Sequence, residues 1–488
     1  MANILLAYGN RADVATFAGG SYTAGLPRSN LGTSDIDEVA RTSSAALANT
    51  RFRFDLTASR SLRALNLTNH NLSTAAQVRL RTGRAVFDVD WASYAAEDRA
   101  TFSGGAGGTR VTSAGLIAAA TTPRINYTAV TLAVLGLLTE QQLTNLLTYS
   151  EQFNNATWTK AETTVTANAA TSPEGTANAD ALLATAANAN HYASTSTITI
   201  TAGATYTTSC YIKAFGYTTA RVVLYNSAIT SGIRVDVNLV SVTGVTSAIG
   251  TGTVAGYTVS DAGGGWFRVT LTGVIDAAST GAVSWVQILS AGATPFAGDG
   301  TSGLYVWGAQ LEAGSFPTSY IPTTTAAVTR TADSTTVTSS NFTGIHSATA
   351  GTLYAEFNLL SVTGTRPIVS LDDGTANERI ELYASGTSLK FKVVDGGVTQ
   401  CDITLGTIAA NTFYKVAVAW SANDFAGCLS GGTVQTDTSG TLPTVDRMRV
   451  GSDQAGNYQN GHQKRTARFL ERLTNSELQT ITTSGIDA

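Results

Sequence analysis

Apolar and polar residues alternate along much of this chain. Within residues 388–395, Leu389, Phe391 and Val393 occupy one set of alternate positions, whereas Lys390 and Lys392 occupy the other. Successive side chains of a β-strand point to opposite faces, so this pattern predicts a strand with one buried and one solvated face. Similar runs recur along the chain, separated by Gly, Asn or Ser. The fold class predicted is all-β, with tandem antiparallel β-sandwich (jelly-roll) domains and few short helices.

The clearest strands fall into two groups, each large enough for one sandwich. The first group is predicted at residues 196–203, 205–214, 219–226, 264–275, 282–291 and 302–314. The second is predicted at residues 352–360, 367–373, 379–386, 388–397, 413–421 and 446–452. Short helices are expected at 91–99 and near the C-terminus, the latter with Asn475 as N-cap and Glu477 in its first turn.

These groups and the shifts in composition between them divide the chain into five segments. Residues 1–82 form a first sandwich, with strands expected at 50–56 and 61–72, and residues 83–145 form a connector. Residues 146–322 form a jelly roll, 323–341 a Thr-rich extended linker, and 342–488 a second jelly roll. A chain of 488 residues is long enough for three domains with separate cores.

Charge and apolar content argue against two classes of partner. Only 13% of residues are charged and the net charge is −4, so there is no basic surface for nucleic acid. No stretch approaches the roughly 18 apolar residues of a membrane span, and the N-terminus has no signal-peptide pattern. We therefore expect no membrane insertion and no export by a signal peptide.

The residues that usually carry catalysis are sparse. The four histidines are His70, His191, His346 and His462, spread over three segments, and no HExxH, GxSxG or P-loop motif occurs. His70 and His462 are interpreted as turn or surface residues. Three cysteines, Cys210, Cys401 and Cys428, favour buried free thiols over a Cys401–Cys428 bridge. The chain is therefore predicted not to be an enzyme.

Glycoside hydrolysis needs only two carboxylates and stays open as a less favoured alternative. The candidate groups are Asp88 with Asp90, Asp372 with Asp373, and Asp395. Asp372 and Asp373 lie in a DDGTAN phrase, where aspartates commonly stabilise a turn.

Sugar binding requires aromatic faces and a few fixed polar groups. The large aromatic residues of segment 146–322 are Trp158, Tyr192, Trp266, Trp285, Trp307, Tyr217 and Tyr225. Trp266 and Trp307 lie in alternating runs and are assigned to the core, whereas Trp158 and Tyr192 fall in loop-like sequence and are predicted to bind sugar. In the last segment, Asp372, Asn377, Arg379 and Tyr383 are predicted to line a lectin-type loop site. No cofactor is expected; a structural Ca²⁺ fits either jelly roll, although no spacing demonstrates one.

Three groups of phrases resemble known families. GGSYTAGLPRSNL (19–31), ARTSSAALANTRFRFDL (40–56) and ALNLTNHNLS (64–73) resemble a galactose-binding-like sandwich of phage structural proteins. WFRVTLTGV (266–274) and LYVWGAQLEAGSFPTSYIPT (304–323) resemble carbohydrate-binding-module-like sandwiches of phage fibres and head spikes. The final phrase, at 460–482, resembles concanavalin-A-like or laminin-G-like lectin domains, with Gln463, Thr466 and Phe469 in place of commoner residues.

The resemblance implies a phage (or gene-transfer-agent) fibre or spike protein located in the virion and released by host lysis. Its N-terminal sandwich would dock to other virion proteins, and the later sandwiches would bind host surface polysaccharide. A homo-oligomer is expected, since avidity strengthens weak sugar contacts. The alternatives are an architectural head, collar or tail component without a ligand and, less favoured, a polysaccharide depolymerase.

Overall fold

The computed structural model describes residues 3–5, 15–18, 53–56, 66–68, 85–91 and 99–486. The chain divides into two compact units, one of residues 1–83 with 95–98 and one of residues 84–94 with 99–488. In the first unit, β1 (Asn3–Leu5) pairs antiparallel with β4 (Asn66–Thr68), and β2 (Ala15–Ala18) pairs antiparallel with β3 (Arg53–Leu56). Most of the galactose-binding-like sandwich predicted for residues 1–82, including His70, lies outside the described residues.

The second unit begins with short strands from the segment predicted as a connector. They are β5 (Ala85–Asp90), β6 (Thr101–Ser103), β7 (Thr109–Val111), β8 (Ile117–Ala119), β9 (Ile125–Tyr127), β10 (Val134–Thr139) and β11 (Leu143–Asn145). Of the helix predicted at 91–99, all but the two end residues lie outside the described part of the chain.

The middle segment supplies most of two six-stranded sheets. Its strands are β12 (Thr159–Ala161), β13 (Thr163–Ala170), β14 (Ala179–Ala184), β15 (Asn188–Ala189), β16 (His191–Ile200), β17 (Ala204–Phe215), β18 (Thr219–Tyr225), β19 (Ser231–Asn238), β20 (Thr243–Gly250), β21 (Thr253–Asp261), β22 (Trp266–Ile275), β23 (Ser279–Leu289), β24 (Phe296–Ala297) and β25 (Gly303–Glu312).

The remaining elements complete the second unit. They are β26 (Val328–Arg330), β27 (Ser334–Thr338), α1 (Ser339–Thr343), β28 (Ala350–Leu359), β29 (Thr365–Asp372), β30 (Arg379–Ser385), β31 (Ser388–Asp395), β32 (Val398–Thr407), β33 (Tyr414–Ser421), β34 (Asp424–Leu429), β35 (Gln435–Asp437), β36 (Arg447–Val450), β37 (Gly461–Phe469) and α2 (Asn475–Ser484). The N-cap of α2 is Thr474, one residue before the predicted Asn475, because the Thr474 side chain accepts the backbone N–H of Glu477.

Two antiparallel sheets built from β12–β25 face each other and form what we call the inserted sandwich. The front sheet has the order β12-β16-β23-β18-β19-β20, and the back sheet has the order β13-β14-β25-β17-β22-β21. Their facing sides form one continuous core, which includes Val222, Val286 and Leu224 from the front sheet and Ile212 and Leu304 from the back sheet. The predicted all-β sandwich class is confirmed.

The second sandwich is assembled from two separate parts of the chain. One of its sheets has the order β35-β34-β33-β28-β37-β10-β9, with β5 also pairing with β37. The other has the order β32-β31-β30-β29-β36-β27-β6. Strands β5, β6, β9 and β10 therefore precede the inserted sandwich in sequence but belong to the same sheets as β27–β37. We call this assembly the C-terminal sandwich.

The chain leaves and re-enters the C-terminal sandwich at one place. β11 follows β10 on the way out, β26 precedes β27 on the way back, and β11 and β26 pair antiparallel. The Thr-rich segment 323–341, for which the sequence predicts an extended linker, thus contributes two paired strands. β27 lies between β36 and β6 inside its sheet.

The chain crosses between the two sandwiches twice, once after β10 and once before β27, and a buried charge cluster joins these two crossings. It consists of Arg124, Glu140, Arg330 and Asp333, whose residues are at most 7% exposed. Glu140 Oε2 accepts from Arg124 Nη2 and from Arg330 Nη1, each at 2.7 Å, and Arg124 Nε donates to Asp333 Oδ1 at 2.9 Å. Burial alone would raise the pKa of Glu140, but the guanidinium charges of Arg330 and Arg124 hold it well below its usual range.

Candidate functional site

The outer face of the back sheet is covered by other parts of the chain. Trp266, Trp307, Tyr211 and Tyr320 pack there in a separate apolar cluster with Ile117 of β8. Trp266 and Trp307 are 2% and 0% exposed. The prediction that these tryptophans are buried is correct, but they lie outside the space between the two sheets.

The outer face of the front sheet is where partly exposed aromatic rings gather. Alternation along each strand places Tyr192 of β16, Trp285 of β23 and Tyr225 of β18 on this face, because Val286 and Leu224 point into the core. The ring centroids of Tyr192 and Trp285 are 4.4 Å apart at an interplanar angle of 42°. Those of Tyr225 and Trp285 are 5.3 Å apart at 78°. We call Tyr192, Trp285 and Tyr225 the aromatic patch.

The three rings differ in how much of each reaches solvent. Tyr192 and Trp285 are half-buried, and Tyr225 is 8% exposed. Burial, with a smaller contribution from neighbouring Tyr192, raises the pKa of the Tyr225 hydroxyl. The phenol of Tyr225 is therefore neutral at ordinary pH and can donate or accept a hydrogen bond.

A row of polar side chains crosses four strands beside the aromatic patch. Tyr192, Gln287, Arg221 and Asp236 are successive partners from β16 to β19. Arg221 binds Asp236 with both ends of its guanidinium, Nε to Oδ1 at 2.5 Å and Nη2 to Oδ2 at 2.8 Å. Gln287 Nε2 donates to Thr294 Oγ1 at 2.8 Å. These contacts fix polar groups at set positions next to the rings.

The next row contains two buried donors for which the described part of the chain provides no acceptor. Trp285, Val223 and Arg234 are successive partners across β23, β18 and β19. Trp285 Nε1 and Arg234 Nε are buried atoms with no hydrogen-bond partner among the described residues. Buried polar atoms normally have partners. The back sheet holds a similar row with Trp307 Nε1 and Arg268 Nε, but there the Arg268 Nη atoms donate to Thr318 and Ser209, whereas Arg234 makes no hydrogen bond to a described residue.

This arrangement has the components of a sugar-binding surface. Aromatic rings provide an apolar surface for the C–H faces of a sugar, and fixed polar groups bond its hydroxyls. We therefore take the outer face of the front sheet, with the aromatic patch and Arg234, as the candidate functional site.

Of the two predicted aromatic ligands, only Tyr192 belongs to this site. Tyr192 lies in strand β16 and not in a loop. Trp158 precedes β12 in a turn but is 1% exposed, stacks on Phe153 at 4.4 Å, and donates from Nε1 to the Tyr149 carbonyl at 3.0 Å. The prediction that Trp158 contacts sugar is wrong, because its ring is part of the core.

The other predicted binding residues lie along one edge of the C-terminal sandwich. Asp372 and Arg379 are register partners in β29 and β30, Tyr383 follows in β30, and Asn377 is exposed in the intervening loop. Asp372 is fully buried and binds Arg449 Nε at 3.0 Å, and Arg379 Nε binds Glu381 at 2.8 Å. The structure thus brings these residues near one another but commits Asp372 and Arg379 to partners within the protein.

The candidate carboxylates for hydrolysis also have structural partners. Asp88 pairs with Arg465 at 2.8 Å, Asp373 Oδ1 accepts from the Thr375 backbone at 2.8 Å, and Asp395 accepts from Thr441 Oγ1. These contacts agree with the turn interpretation given to Asp373. Across residues 85–91 and 99–486, no group of three or more His, Cys, Asp or Glu residues is placed to hold a metal ion.

Two histidines have unusual environments that the sequence does not reveal. His462 lies in β37 and is 3% exposed, so its assignment to a turn or the surface is wrong. Burial lowers its pKa to about 4. Burial and, second, the charge of Arg468 lower the pKa of His346 to about 4 as well. Both are therefore neutral at ordinary pH.

All three cysteines are free and buried, as predicted. Burial raises the pKa values of Cys210 and Cys401 to about 12, so neither is a thiolate at ordinary pH.

A cavity of about 320 Å³ lies between the β7–β8 hairpin and Tyr320, lined in part by Glu151 and Glu174. Asn178 Nδ2 donates to Glu151 Oε2 at 3.2 Å and to Glu174 Oε1 at 2.7 Å, and the Tyr320 hydroxyl donates to Glu151 at 3.0 Å. Burial raises the pKa of Glu151. Hydrogen bonds within the protein therefore hold both carboxylates in place.

Comparisons with known proteins give remote structural likenesses only. No family model matches the chain, and no curated protein matches it. Its structure is similar to the CBM40 of the Ruminococcus gnavus IT-sialidase bound to alpha2,3 sialyllactose, at 15% identity over 28% of this chain and 84% of that one, with a TM-score of 0.26. The NanB sialidase from Streptococcus pneumoniae is similar at 13% identity over 30% of this chain and 26% of that one, with a TM-score of 0.27.

The binding domain of botulinum neurotoxin DC in complex with SialylT is a further similar structure. It is 10% identical over 31% of this chain and 39% of that one, with a TM-score of 0.26. At identities and TM-scores this low, the site is assigned from this chain's own residues alone.

The predictions missed three residues of the site, namely Trp285, Tyr225 and Arg234. The sequence contains a signal for the first two. Trp285 and Gln287 share alternate positions in their strand, as do Tyr225 and Arg221. Gln287 and Arg221 are polar, which indicates that these alternate positions lie on the solvated face of each strand. Trp285 and Tyr225 must therefore lie on that face too. The pairing of the strands, which brings the rings together, has no such local signal.

Proposed function

We propose that this chain binds carbohydrate without chemical conversion, through the outer face of the front sheet. The observation that carries the proposal is the aromatic patch, in which Trp285 contacts both Tyr192 and Tyr225. The rings sit beside hydrogen-bonding groups on a face where Tyr192 and Trp285 are partly exposed, whereas the equivalent tryptophans of the back sheet are buried. A contiguous exposed apolar patch rimmed by polar residues commonly marks a binding site.

The biological setting that we propose is attachment of a virion to host surface polysaccharide. The phrases at 19–31, 40–56 and 64–73 resemble those of phage structural proteins, and the phrases at 266–274 and 304–323 resemble those of phage fibres and head spikes. Both resemblances support this setting. In this proposal residues 1–82 dock to other virion proteins, the protein acts in the virion, and a homo-oligomer multiplies weak sugar contacts.

An architectural role without a ligand is the competing proposal. It predicts that the aromatic patch is dispensable for glycan binding and for adsorption to cells. A depolymerase role requires carboxylates free to react, and the predicted candidates Asp88, Asp372 and Asp373 are engaged in ion pairs or turns.

The test uses the full-length chain, because residues 323–488 alone lack strands β5, β6, β9 and β10 of their own sandwich. Wild type, Trp285→Ala and the control Phe215→Ala are applied to an array of surface glycans. Phe215 is an exposed aromatic residue that stacks on Tyr305, outside the front sheet. We expect wild type and Phe215→Ala to bind and Trp285→Ala to lose about tenfold or more in affinity.

Two results would contradict the proposal. Equal binding by Trp285→Ala and wild type would exclude the aromatic patch as the binding surface. A wild-type protein that binds no glycan on the array, yet is required for the particle to assemble, would favour the architectural role.

A further inference from the structure

We infer that the carbohydrate bound by the front sheet is anionic and that Arg234 receives its negative charge. This inference rests on the proposed function and specifies its ligand. It starts from one side chain, Arg234, whose charge has no ion-pair partner among the described residues.

Arg234 lies on the same face as the aromatic patch. Its strand partner Val223 is also the partner of Trp285, so Trp285 and Arg234 stand two strands apart, at roughly 10 Å. Val223, between them, is fully buried although it lies on the outer face. A ligand that stacks on Trp285 and extends across the strands would reach Arg234.

The guanidinium of Arg234 has no ion-pair or hydrogen-bond partner among the described residues, and its Nε atom is buried. Arg221, on the neighbouring strand, shows the contrast, since both ends of its guanidinium bind Asp236. Each oxygen of that carboxylate accepts one hydrogen bond from Arg221. On the outer face of the front sheet, these two rows therefore contain the guanidinium groups of Arg221 and Arg234 but only one carboxylate, that of Asp236.

Partial burial of an unpaired cation destabilises a protein, because the charge loses water without gaining a partner. Trp285 Nε1 is a second buried donor in the same row without an acceptor. Two buried donors without a partner in one row favour a ligand that supplies acceptors. A neutral sugar offers hydroxyls that both donate and accept, whereas an anionic group is acceptor-only and pairs with guanidinium in a fork geometry.

A sugar carboxylate and a sugar sulfate share this chemistry, and both accept two parallel hydrogen bonds from arginine. The overall net charge of −4 argues against general attraction of polyanions, so an anionic preference has to come from a local group. Arg234 is that group.

The test measures wild type, Arg234→Gln and Arg234→Lys on the glycan array, using matched pairs that differ in one charged group. Carboxylated glycans are paired with their carboxyl-reduced forms and sulfated glycans with their desulfated forms. Lys213→Gln is the control, because it removes the same charge from the back sheet, where Lys213 Nζ binds the Gly264 carbonyl.

We expect wild type and Lys213→Gln to favour the charged member of a pair by roughly tenfold or more. Arg234→Gln should bind both members equally, and Arg234→Lys should recover part of the preference. The carboxylate and sulfate pairs show which anion is preferred.

The outcomes separate this inference from the function on which it rests. Equal binding of charged and neutral members by wild type, with loss of both in Trp285→Ala, would retain sugar binding and overturn the anionic ligand. An unchanged preference in Arg234→Gln would remove Arg234 as the recognising residue. If wild type binds no glycan at all, the proposed function fails and the inference fails with it.

Discussion

Glu140 Oε2 lies 2.7 Å from Arg330 Nη1, and this ion pair joins the residue just beyond β10 to the end of β26. The two residues are 1% and 0% exposed. Backbone contacts reinforce the link, since the Asp333 N–H donates to the Glu140 carbonyl at 3.0 Å and the Glu140 N–H donates to Asp333 Oδ2 at 2.8 Å. Buried charges therefore hold together the two segments through which the chain enters and leaves the inserted sandwich.

Glu140→Gln is expected to destabilise the second unit by roughly 3–5 kcal/mol, because it leaves Arg124 and Arg330 buried with one carboxylate, Asp333, between them. Chemical denaturation of wild type and variant measures the difference. Asp402→Asn is the matched control. Its partner Lys390 is partly exposed, and such pairs contribute about 1 kcal/mol or less. Similar losses in both variants would contradict the importance of burial.

Acid should destabilise the fold through His462. Its Nδ1 faces Asn358 Oδ1 at 3.0 Å, and its Nε2 faces Asn126 Nδ2 at 3.0 Å. Asn126 Oδ1 is already engaged by the Val111 N–H, so the amide presents a donor to the ring, and a second ring proton would oppose it. Burial, the largest cause, lowers the folded pKa to about 4, below the roughly 6.5 of an unfolded histidine.

The contribution of His462 is fully present above about pH 6.5 and is lost as the pH falls towards 4, because the unfolded chain binds the proton first. The loss from this residue is roughly 3 kcal/mol. His462→Gln should make the dependence of the unfolding free energy on pH shallower by up to one proton between those values. Since the comparison concerns slopes, a lower overall stability of the variant does not affect it. An unchanged slope would show that His462 titrates normally.

Trp158→Ala should destabilise the inserted sandwich by roughly 3–5 kcal/mol, because its stacked ring is buried against Phe153. At a temperature where the variant stays folded, its affinity for glycan should equal that of wild type. Thermal unfolding and array binding measure the two effects separately. A variant that keeps its stability but loses glycan binding would restore the role that the sequence predicts for Trp158.

The three thiols should be unreactive in the folded protein. Cys210, Cys401 and Cys428 are buried, and the pKa values of the first two are raised to about 12, so little thiolate is exposed to a reagent. A thiol-specific reagent should modify none of them in native buffer and all of them in denaturant. Fewer than three reactive groups in denaturant without reductant would indicate a disulfide such as Cys401–Cys428.

Alternation was sufficient to predict the fold class and most long strands. The run that contains Leu389, Phe391 and Val393 forms β31, because each of these residues points to the core. The alternation of apolar and polar residues indicates which face of a strand is buried, and it is clearest where the other face is solvated. The prediction for Trp158 failed because this residue lies in a turn. Residues in a turn do not alternate between two faces, so the sequence does not indicate that the ring is buried.

The discontinuous C-terminal sandwich could not be predicted from local pattern. Strands β6 and β9 have three residues each, too few for alternation to be visible, and β6 and β10 pair with strands far along the chain, β27 and β37. β6 pairs with β27, in which Ser334 faces Ser103. Likewise, the unpaired state of Arg234 depends on which strands become neighbours, and Trp285 gains its aromatic contacts only through that pairing.

Insertion through paired crossings has a mechanical consequence. Tension that reaches the backbone at Thr139 can pass from Glu140 directly to Arg330 and Asp333, and so into β27. The β11–β26 ladder offers a parallel route between Asn145 and Val328. While these links hold, the inserted sandwich lies outside the path of the force, and the front-sheet surface keeps its shape when the rest of the chain is pulled.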